Sequence, residues 1–147
     1  MGRQVSAVRV PFGTGSPGRL SKAIYPVIPA DWHAATKRFF RRWRGELLTT
    51  WPVVTEAVYL SESHKARLAI VQWLQRNLHV VPQDAEDAAA IERYLRKYRD
   101  LAPNLADLTL LALAERSGVR EIITVDTKDF AVYRLANNRA LSNLLAR

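Results

Sequence analysis

Short apolar segments with strand character alternate along this chain with longer segments of helical periodicity, and this alternation limits the fold more than any other feature. Strands that are separated by helices pair in parallel through right-handed crossovers. We therefore predict an α/β fold: a three-layer sandwich with a central parallel sheet of about four strands flanked by helices, as one domain over residues 1–147. Strands are predicted over 5–12, 46–50, 79–81 and 121–125, and helices over 31–44, 51–60, 63–77, 84–99, 104–116 and 127–135.

The composition excludes several kinds of chemistry. The chain contains no cysteine, which rules out disulfides, thiolate zinc sites and thiol nucleophiles. His33, His64 and His79 lack the spacing of a shared metal site, and the glycine-rich run 13–18 lacks the lysine of a P-loop. The first residues do not resemble a signal peptide, and no apolar run has the length of a membrane span. We expect a soluble, cytoplasmic protein without a membrane partner.

The net charge of +8 is concentrated in two basic groups. Such groups attract polyanions, above all nucleic acid, although solvated basic helix faces explain the same charges equally well. Trp43 or Trp51 could stack on a base, but we expect core packing for both. The first basic group comprises Lys37, Arg38, Arg41, Arg42 and Arg44, and the second comprises Arg93, Arg96, Lys97 and Arg99.

Isolated carboxylates on apolar elements are the most unusual feature of the sequence. Asp126 directly follows the 121–125 strand, where ligands bind in a parallel sheet, and Asp129 comes three residues later. Glu56 and Asp107 are isolated acids in apolar helices, and burying a carboxylate is costly unless it is paired or bound to a cation. Each aspartate also has a purely structural interpretation. Asp107 and Asp129 lie near helix starts, where an acid stabilises the helix, and Asp126 can form an Asx turn after its strand. Glu56 has no such alternative.

Two runs of the sequence resemble the VapC-like branch of the PIN-domain family. They are LLTTWPVVTEAVYL (47–60) and YRDLAPNLADLTLLALAERSGVREIITVDTKDFAVYR (98–134), and the resemblance covers about residues 31–134. The second run contains the T-x-D-x-x-D-F signature at the end of a strand.

The resemblance implies a Mg²⁺- or Mn²⁺-dependent endoribonuclease, usually the toxin of a toxin–antitoxin pair and often a homodimer. It implies that Glu56, Asp107 and Asp126 are metal-binding catalytic acids, and that Asp129 is a supporting metal-site acid. Asn104 stands where many relatives have another acid. Hard divalent cations prefer oxygen ligands, so the implied chemistry suits these residues.

The beginning of the chain departs from this family pattern. Gly13 stands where relatives have an aspartate at the end of the first strand, and residues 16–29 do not read as the apolar helix that should follow. Codons for this segment can be chosen so that a one-nucleotide shift encodes an apolar peptide. We hypothesise that residues 16–29 arise from compensating frame changes, which the underlying DNA sequence would test. Residues 1–30 are thus atypical, and residues 135–147 form a C-terminal tail.

Three functions remain open at this point. The first is a metal-dependent endoribonuclease toxin that cleaves RNA and binds an antitoxin. The second is a catalytically impaired PIN domain that binds RNA or antitoxin without cleavage, which Gly13 favours. The third is a basic structural domain in which the acids are helix caps.

Overall fold

The protein folds around a mixed five-stranded sheet with the order β3-β2-β1-β4-β5. The structure is a computed structural model that describes residues 7–10, 30–44 and 46–146. The strands are β1 (Ala7–Val10), β2 (Glu46–Thr49), β3 (His79–Val80), β4 (Glu121–Ile123) and β5 (Ser142–Asn143). The predicted α/β class is therefore confirmed.

The central strand β1 runs against its neighbours, which corrects the prediction of an all-parallel sheet. β2 pairs with β3 and β4 pairs with β5 in parallel, but β1 is antiparallel to both β2 and β4. Val10 pairs with Glu46 and Ala7 pairs with Ile123, so β1 ends at the edge of the sheet opposite to Asp126. Parallel and antiparallel pairing both satisfy the backbone hydrogen bonds of a strand. This four-residue strand carries no sequence feature that determines which of the two it adopts.

Six α-helices connect or follow the strands in the described part of the chain. Sequence signals mark several of their ends: Ser63 and Asp84 accept backbone N–H groups as N-caps of the third and fourth helices, and Gly118 ends the fifth with φ 72°. The helices are α1 (His33–Arg42), α2 (Trp51–Leu60), α3 (His64–Asn77), α4 (Ala85–Lys97), α5 (Leu105–Ser117) and α6 (Thr127–Val132). Turns of 3-10 helix cover Ala30–Trp32, Arg99–Leu101 and Leu144–Ala146.

Successive strand residues enter separate cores on the two faces of the sheet. Ile122 packs into a core with α4, α5 and α6, whereas Ile123 packs into a core with α1, α2 and α3. Leu48 and Leu47 of β2 divide between these two cores in the same way. This alternation is the period of two that a strand imposes. The three layers of the predicted sandwich follow from it.

Several local predictions were wrong. The helix predicted over 31–44 is shorter in the structure, because Asp31 lies within a 3-10 turn and α1 begins at His33 with Trp32 as its N-cap. β4 ends two residues earlier than predicted, since the backbone of Thr124 bonds to the side chain of Asn143 rather than to a strand. The two-residue strand β5 was not predicted at all.

Other predictions cannot be followed into the structure. Gly13 and residues 16–29, with the hypothesis of frame changes, lie outside the described residues. Among the residues that are described, no helix combines the length and the apolar character needed to cross a membrane.

Candidate metal centre

Helix α5 presents Asp107 from its first turn, at the carboxyl edge of β2. Asn104 caps the helix by accepting the backbone N–H of Ala106 at 2.8 Å. The hydroxyl of Thr109 donates to the carbonyl of Ala106, so in its 2.6 Å bond with Thr50 the Thr50 hydroxyl is the donor. Because Thr50 directly follows β2, this buried bond holds the start of α5 against the end of that strand. Asp107 is 9% exposed.

Asp126 and Asp129 are positioned at the carboxyl edge of β4. The carboxylate of Asp126 accepts the backbone N–H of Asp129 at 3.0 Å and so caps α6. The backbone N–H of Asp126 donates to the hydroxyl of Thr124, whose own backbone is bonded to Asn143 on β5. The cap of α6 is therefore Asp126, for which an Asx turn was considered, rather than Asp129, and a cap uses only part of the acceptor capacity of a carboxylate.

Asp107, Asp126 and Asp129 converge on one point. Each offers a carboxylate oxygen, and these three oxygens all lie within 4.8 Å of one another. Asp107 comes from α5 while the other two come from α6 and its cap, so the fold brings together acids that are distant in the sequence. In the described part of the chain, no lysine or arginine lies within ion-pair distance of Asp126 or Asp129. We call these three residues the aspartate cluster.

Glu56 lies outside the aspartate cluster and is connected to it through Asn104. The amide Nδ2 of Asn104 donates a very short hydrogen bond to Glu56 Oε1 of α2, while its Oδ1 caps α5. Glu56 is half-buried. Asn104 thus holds Glu56 beside the helix turn that bears Asp107. Asn104 was considered from the sequence, but this bridging role was not predicted.

Tyr133 is a buried neighbour of the aspartate cluster that sequence reasoning missed. It is 2% exposed, and its hydroxyl has no hydrogen-bond partner among the described residues. Burial, and then the negative charges of Asp107, Asp129 and Asp126, raise the pKa of this hydroxyl above its ordinary value. The phenol therefore stays neutral at the wall of an acidic site.

Asp87 shows what a structural buried acid looks like in the same protein. Asp87 is 2% exposed, and its carboxylate accepts from Arg116 at 3.0 Å and from the backbone N–H of Asp84 at 3.0 Å. Those partners offset the cost of burying its charge. Among the described residues, Asp126 and Asp129 have no such cation, so their charges suit a bound ion.

The donor set of the aspartate cluster fits Mg²⁺ or Mn²⁺. Both are hard cations that take carboxylate oxygens and retain several waters, so three carboxylate oxygens within 4.8 Å of one another suit one such ion. Histidine and cysteine, which would favour zinc, are absent from the cluster. A cation here would also offset the mutual repulsion of the three acids.

The fold and this cluster define a class: an α/β domain with a cluster of carboxylates at the carboxyl edge of its sheet. A family model described as PIN domain matches residues 22–136, well over half of the chain. The chain therefore belongs to the PIN domain family, whose members are generally nucleases that use divalent metal ions. The match begins after Gly13 and so does not bear on the expectation of an aspartate at that position. No curated protein matches the chain.

Proposed function

We propose that this protein is a Mg²⁺- or Mn²⁺-dependent endoribonuclease, the toxin of a type II toxin–antitoxin pair that acts in the cytoplasm. The observation that carries the proposal is the convergence of Asp107, Asp126 and Asp129 within 4.8 Å, on a domain of a nuclease family. RNA is the substrate class that the basic groups favour. The cognate antitoxin and a second copy of the chain are the proposed protein partners.

In this proposal the aspartate cluster holds the metal and Glu56 is the fourth acid of the site. A bound divalent cation would lower the pKa of a coordinated water and offset the charge that develops on the scissile phosphate. Asn104 holds the Glu56 carboxylate in one orientation, which limits the reorganisation needed when RNA arrives. The Thr50–Thr109 and Thr124–Asn143 contacts keep the two halves of the cluster in register.

The test is cleavage of a labelled RNA by the full chain in Mg²⁺, in Mn²⁺ and in EDTA. Asp107→Asn and Asp126→Asn should reduce cleavage at least 100-fold, since each removes an anionic ligand of the metal. Asp126→Asn is informative because asparagine retains the N-cap of α6. Asp100→Asn is the matched control, since this exposed acid pairs with Arg99 at 3.7 Å and is not part of the aspartate cluster. Metal-dependent cleavage that survives both cluster substitutions would refute the proposed site.

The toxin role requires a separate experiment. Induced expression of the chain should arrest growth of a bacterial host, and Asp126→Asn should remove the arrest. Co-expression of a small gene found beside the coding sequence should restore growth. Arrest that persists in the Asp126→Asn strain would separate toxicity from nuclease activity.

A PIN domain that binds RNA or antitoxin without cleaving is the second candidate. The direction of β1 favours it, because β1 ends at the edge opposite to the aspartate cluster and Gly13 follows that end in the sequence. RNA binding that is retained in both Mg²⁺ and EDTA, without products at any metal concentration, would support this second candidate over the first.

A further inference from the structure

Three buried tyrosines, Tyr94, Tyr98 and Tyr133, form a row of rings from the last turn of α4 to the end of α6. Tyr94 stacks on Tyr98 with the ring centroids 6.3 Å apart, and Tyr98 meets Tyr133 edge to face at 5.1 Å. All three belong to the same core, and none is more than 7% exposed. We call them the tyrosine row. A buried tyrosine hydroxyl usually has a hydrogen-bond partner, so the three hydroxyls can be compared directly.

Tyr133 is the exception in the tyrosine row. The Tyr94 hydroxyl donates to Glu115 Oε2 at 2.6 Å, and the Tyr98 hydroxyl accepts the backbone N–H of Arg134 at 2.6 Å. Among the residues that the structure describes, none forms a hydrogen bond with the hydroxyl of Tyr133. A phenylalanine would fill the same space without a buried, unsatisfied hydroxyl. Because such groups are rare in folded proteins, this hydroxyl requires an explanation from its surroundings.

The surroundings of the Tyr133 hydroxyl are the aspartate cluster. Tyr133 lies at the end of α6, where its backbone N–H donates to the carbonyl of Asp129 at 3.1 Å, and Asp126 caps the other end of this six-residue helix. The charges of Asp107, Asp129 and Asp126 all act on the hydroxyl. Because such interactions weaken with distance, the hydroxyl lies near every member of the cluster. Its possible acceptors are therefore carboxylate oxygens.

Two aromatic contacts hold the ring of Tyr133 in one orientation. The ring meets Tyr98 at 5.1 Å and Phe130 at 5.3 Å, each edge to face. Tyr98 is itself held, because its hydroxyl both accepts the backbone N–H of Arg134 and donates to the Arg134 carbonyl. A carboxylate that approaches the Tyr133 hydroxyl therefore meets a donor whose position is already fixed.

A phenol hydroxyl is a suitable partner for a carboxylate that binds a metal ion. A carboxylate has two oxygens, so it can bind a cation through one of them and accept a hydrogen bond through the other. Donors of this kind orient metal-binding side chains and strengthen the binding of the ion. A neutral hydroxyl also carries no positive charge, so it does not compete with the cation as a lysine or an arginine would.

We propose that Tyr133 is a positioning residue of the metal centre, whose hydroxyl donates a hydrogen bond to a carboxylate oxygen of the aspartate cluster when the cluster binds a divalent cation. The inference rests on the metal centre of the proposed function and adds to it a residue that contacts neither the cation nor RNA. Because the Tyr133 side chain is only 2% exposed, RNA cannot reach it. Its effect therefore appears first in the affinity for the metal.

Binding of Mn²⁺ to the full chain in the absence of RNA measures this role without catalysis. Electron paramagnetic resonance of the unbound ion at pH 7 gives the Kd of each variant. Tyr133→Phe should weaken Mn²⁺ binding about tenfold, the loss expected when a metal ligand loses its hydrogen-bond donor. Tyr94→Phe is the matched control, since it removes the same group from the same row but one that is bonded to Glu115. It should change the Kd less than about twofold.

Two further measurements separate this role from an effect on folding. Urea unfolding in EDTA verifies that both variants are folded before metal is added. Mn²⁺ should also shift the near-ultraviolet absorption of tyrosine in the wild type and in Tyr94→Phe, because a phenol that donates a new hydrogen bond absorbs at longer wavelength. Tyr133→Phe should not show this shift.

The outcomes distinguish this inference from the proposed function. Equal Mn²⁺ affinity of the wild type and Tyr133→Phe overturns the inference, and if Asp126→Asn still abolishes RNA cleavage, the nuclease proposal survives alone. If Tyr133→Phe weakens Mn²⁺ binding but the wild type cleaves no RNA, the role of Tyr133 is supported and the nuclease proposal fails. A wild-type chain that binds no Mn²⁺ refutes both.

Discussion

At the scale of single residues, the unusual side chain is Tyr133, whose buried hydroxyl has no partner among the described residues. Burying a hydroxyl without a hydrogen bond costs about 1–3 kcal/mol. The raised pKa of this group has a further consequence for stability. The pKa of this hydroxyl is higher in the folded protein than in the unfolded chain. Such a group stabilises the folded state fully at a pH below the unfolded pKa, and the stabilisation is lost as the pH rises above that value.

Tyr133→Phe should therefore leave the metal-free protein as stable as the wild type at pH 7, or up to about 1 kcal/mol more stable. Above about pH 10 the wild type should lose up to about 1.4 kcal/mol per pH unit from this residue, and the variant should not. Urea unfolding at pH 7 and between pH 9.5 and 11 measures both effects. Tyr94→Phe is the comparison, since burial and then the bond to Glu115 raise the pKa of Tyr94 far from the cluster. A destabilised Tyr133→Phe at pH 7 would show that the hydroxyl has a partner.

Asn104 has two functions that substitutions can separate. Its Oδ1 caps α5 and its Nδ2 bonds to Glu56. Asn104→Ser retains a capping oxygen and loses the amide donor, whereas Asn104→Ala loses both. We expect the alanine variant to unfold about 1 kcal/mol more easily than the serine variant in urea. Both should reduce RNA cleavage, because either change releases Glu56. Equal stability of the two variants would mean that the cap contributes nothing.

At the scale of secondary structure, the sequence predicted those elements whose ends carry chemical markers. Ser63, Asp84 and Asn104 accept the backbone N–H groups expected of N-caps, and Gly118 ends α5. Residues next to each helix end determine where the helix begins or ends, so the sequence around that point is enough to predict it. The direction of β1, the strand β5 and the bond between Thr124 and Asn143 depend on distant partners, and no local pattern encodes those.

The same distinction applies to the candidate site: features that depend on neighbouring residues were predicted, and features that depend on distant contacts were not. The strand-end position of Asp126 and the apolar surroundings of Asp107 were visible in the sequence, and the structure brings them together with Asp129. The separation of Glu56 from this cluster was not visible, because it depends on how α2 packs against the start of α5. The proximity of Tyr133 was not visible either, because it depends on how the residue after α6 packs against distant side chains such as Tyr98. The two basic groups also looked equivalent in the sequence, whereas the structure pairs Arg93 with Glu115 and Arg96 with Glu92 in the second group. Trp51, expected in the core, is 58% exposed.

Gly118→Ala tests the helix end that holds α5 in place. Gly118 has φ 72°, a left-handed conformation that strains any residue with a Cβ, although an added Cβ would meet no atom within 4 Å. The cost is therefore conformational, and we expect a loss of about 1 kcal/mol in the free energy of unfolding. Because the opposite end of α5 carries Asp107, metal-dependent cleavage at low temperature should be unchanged. A loss of activity without a loss of stability would contradict this separation.

At the scale of the whole molecule, the aspartate cluster connects metal binding to folding. Asp107 comes from α5 and the other two acids come from α6 and its cap, so Asp107 joins them only when the sheet and its helices are assembled. An ion that binds the folded state alone stabilises it by about 2.7 kcal/mol at a concentration of 100 times its Kd. Mn²⁺ should thus raise the unfolding temperature of the full chain in a concentration-dependent manner.

Asp129→Asn tests whether Asp129 binds the metal, because a residue with only a structural role would change the stability equally in EDTA and in Mn²⁺. In EDTA the variant should differ from the wild type by less than about 1 kcal/mol, because relief of repulsion within the cluster offsets the loss of an acid in the first turn of α6. In Mn²⁺ the wild type should gain stability and the variant should gain much less, so the gap between them widens with metal. Asp100→Asn, whose carboxylate is exposed and outside the cluster, should follow the wild type in both conditions. Thermal unfolding across a Mn²⁺ titration measures all three, and a variant that gains as much as the wild type would remove Asp129 from the metal site.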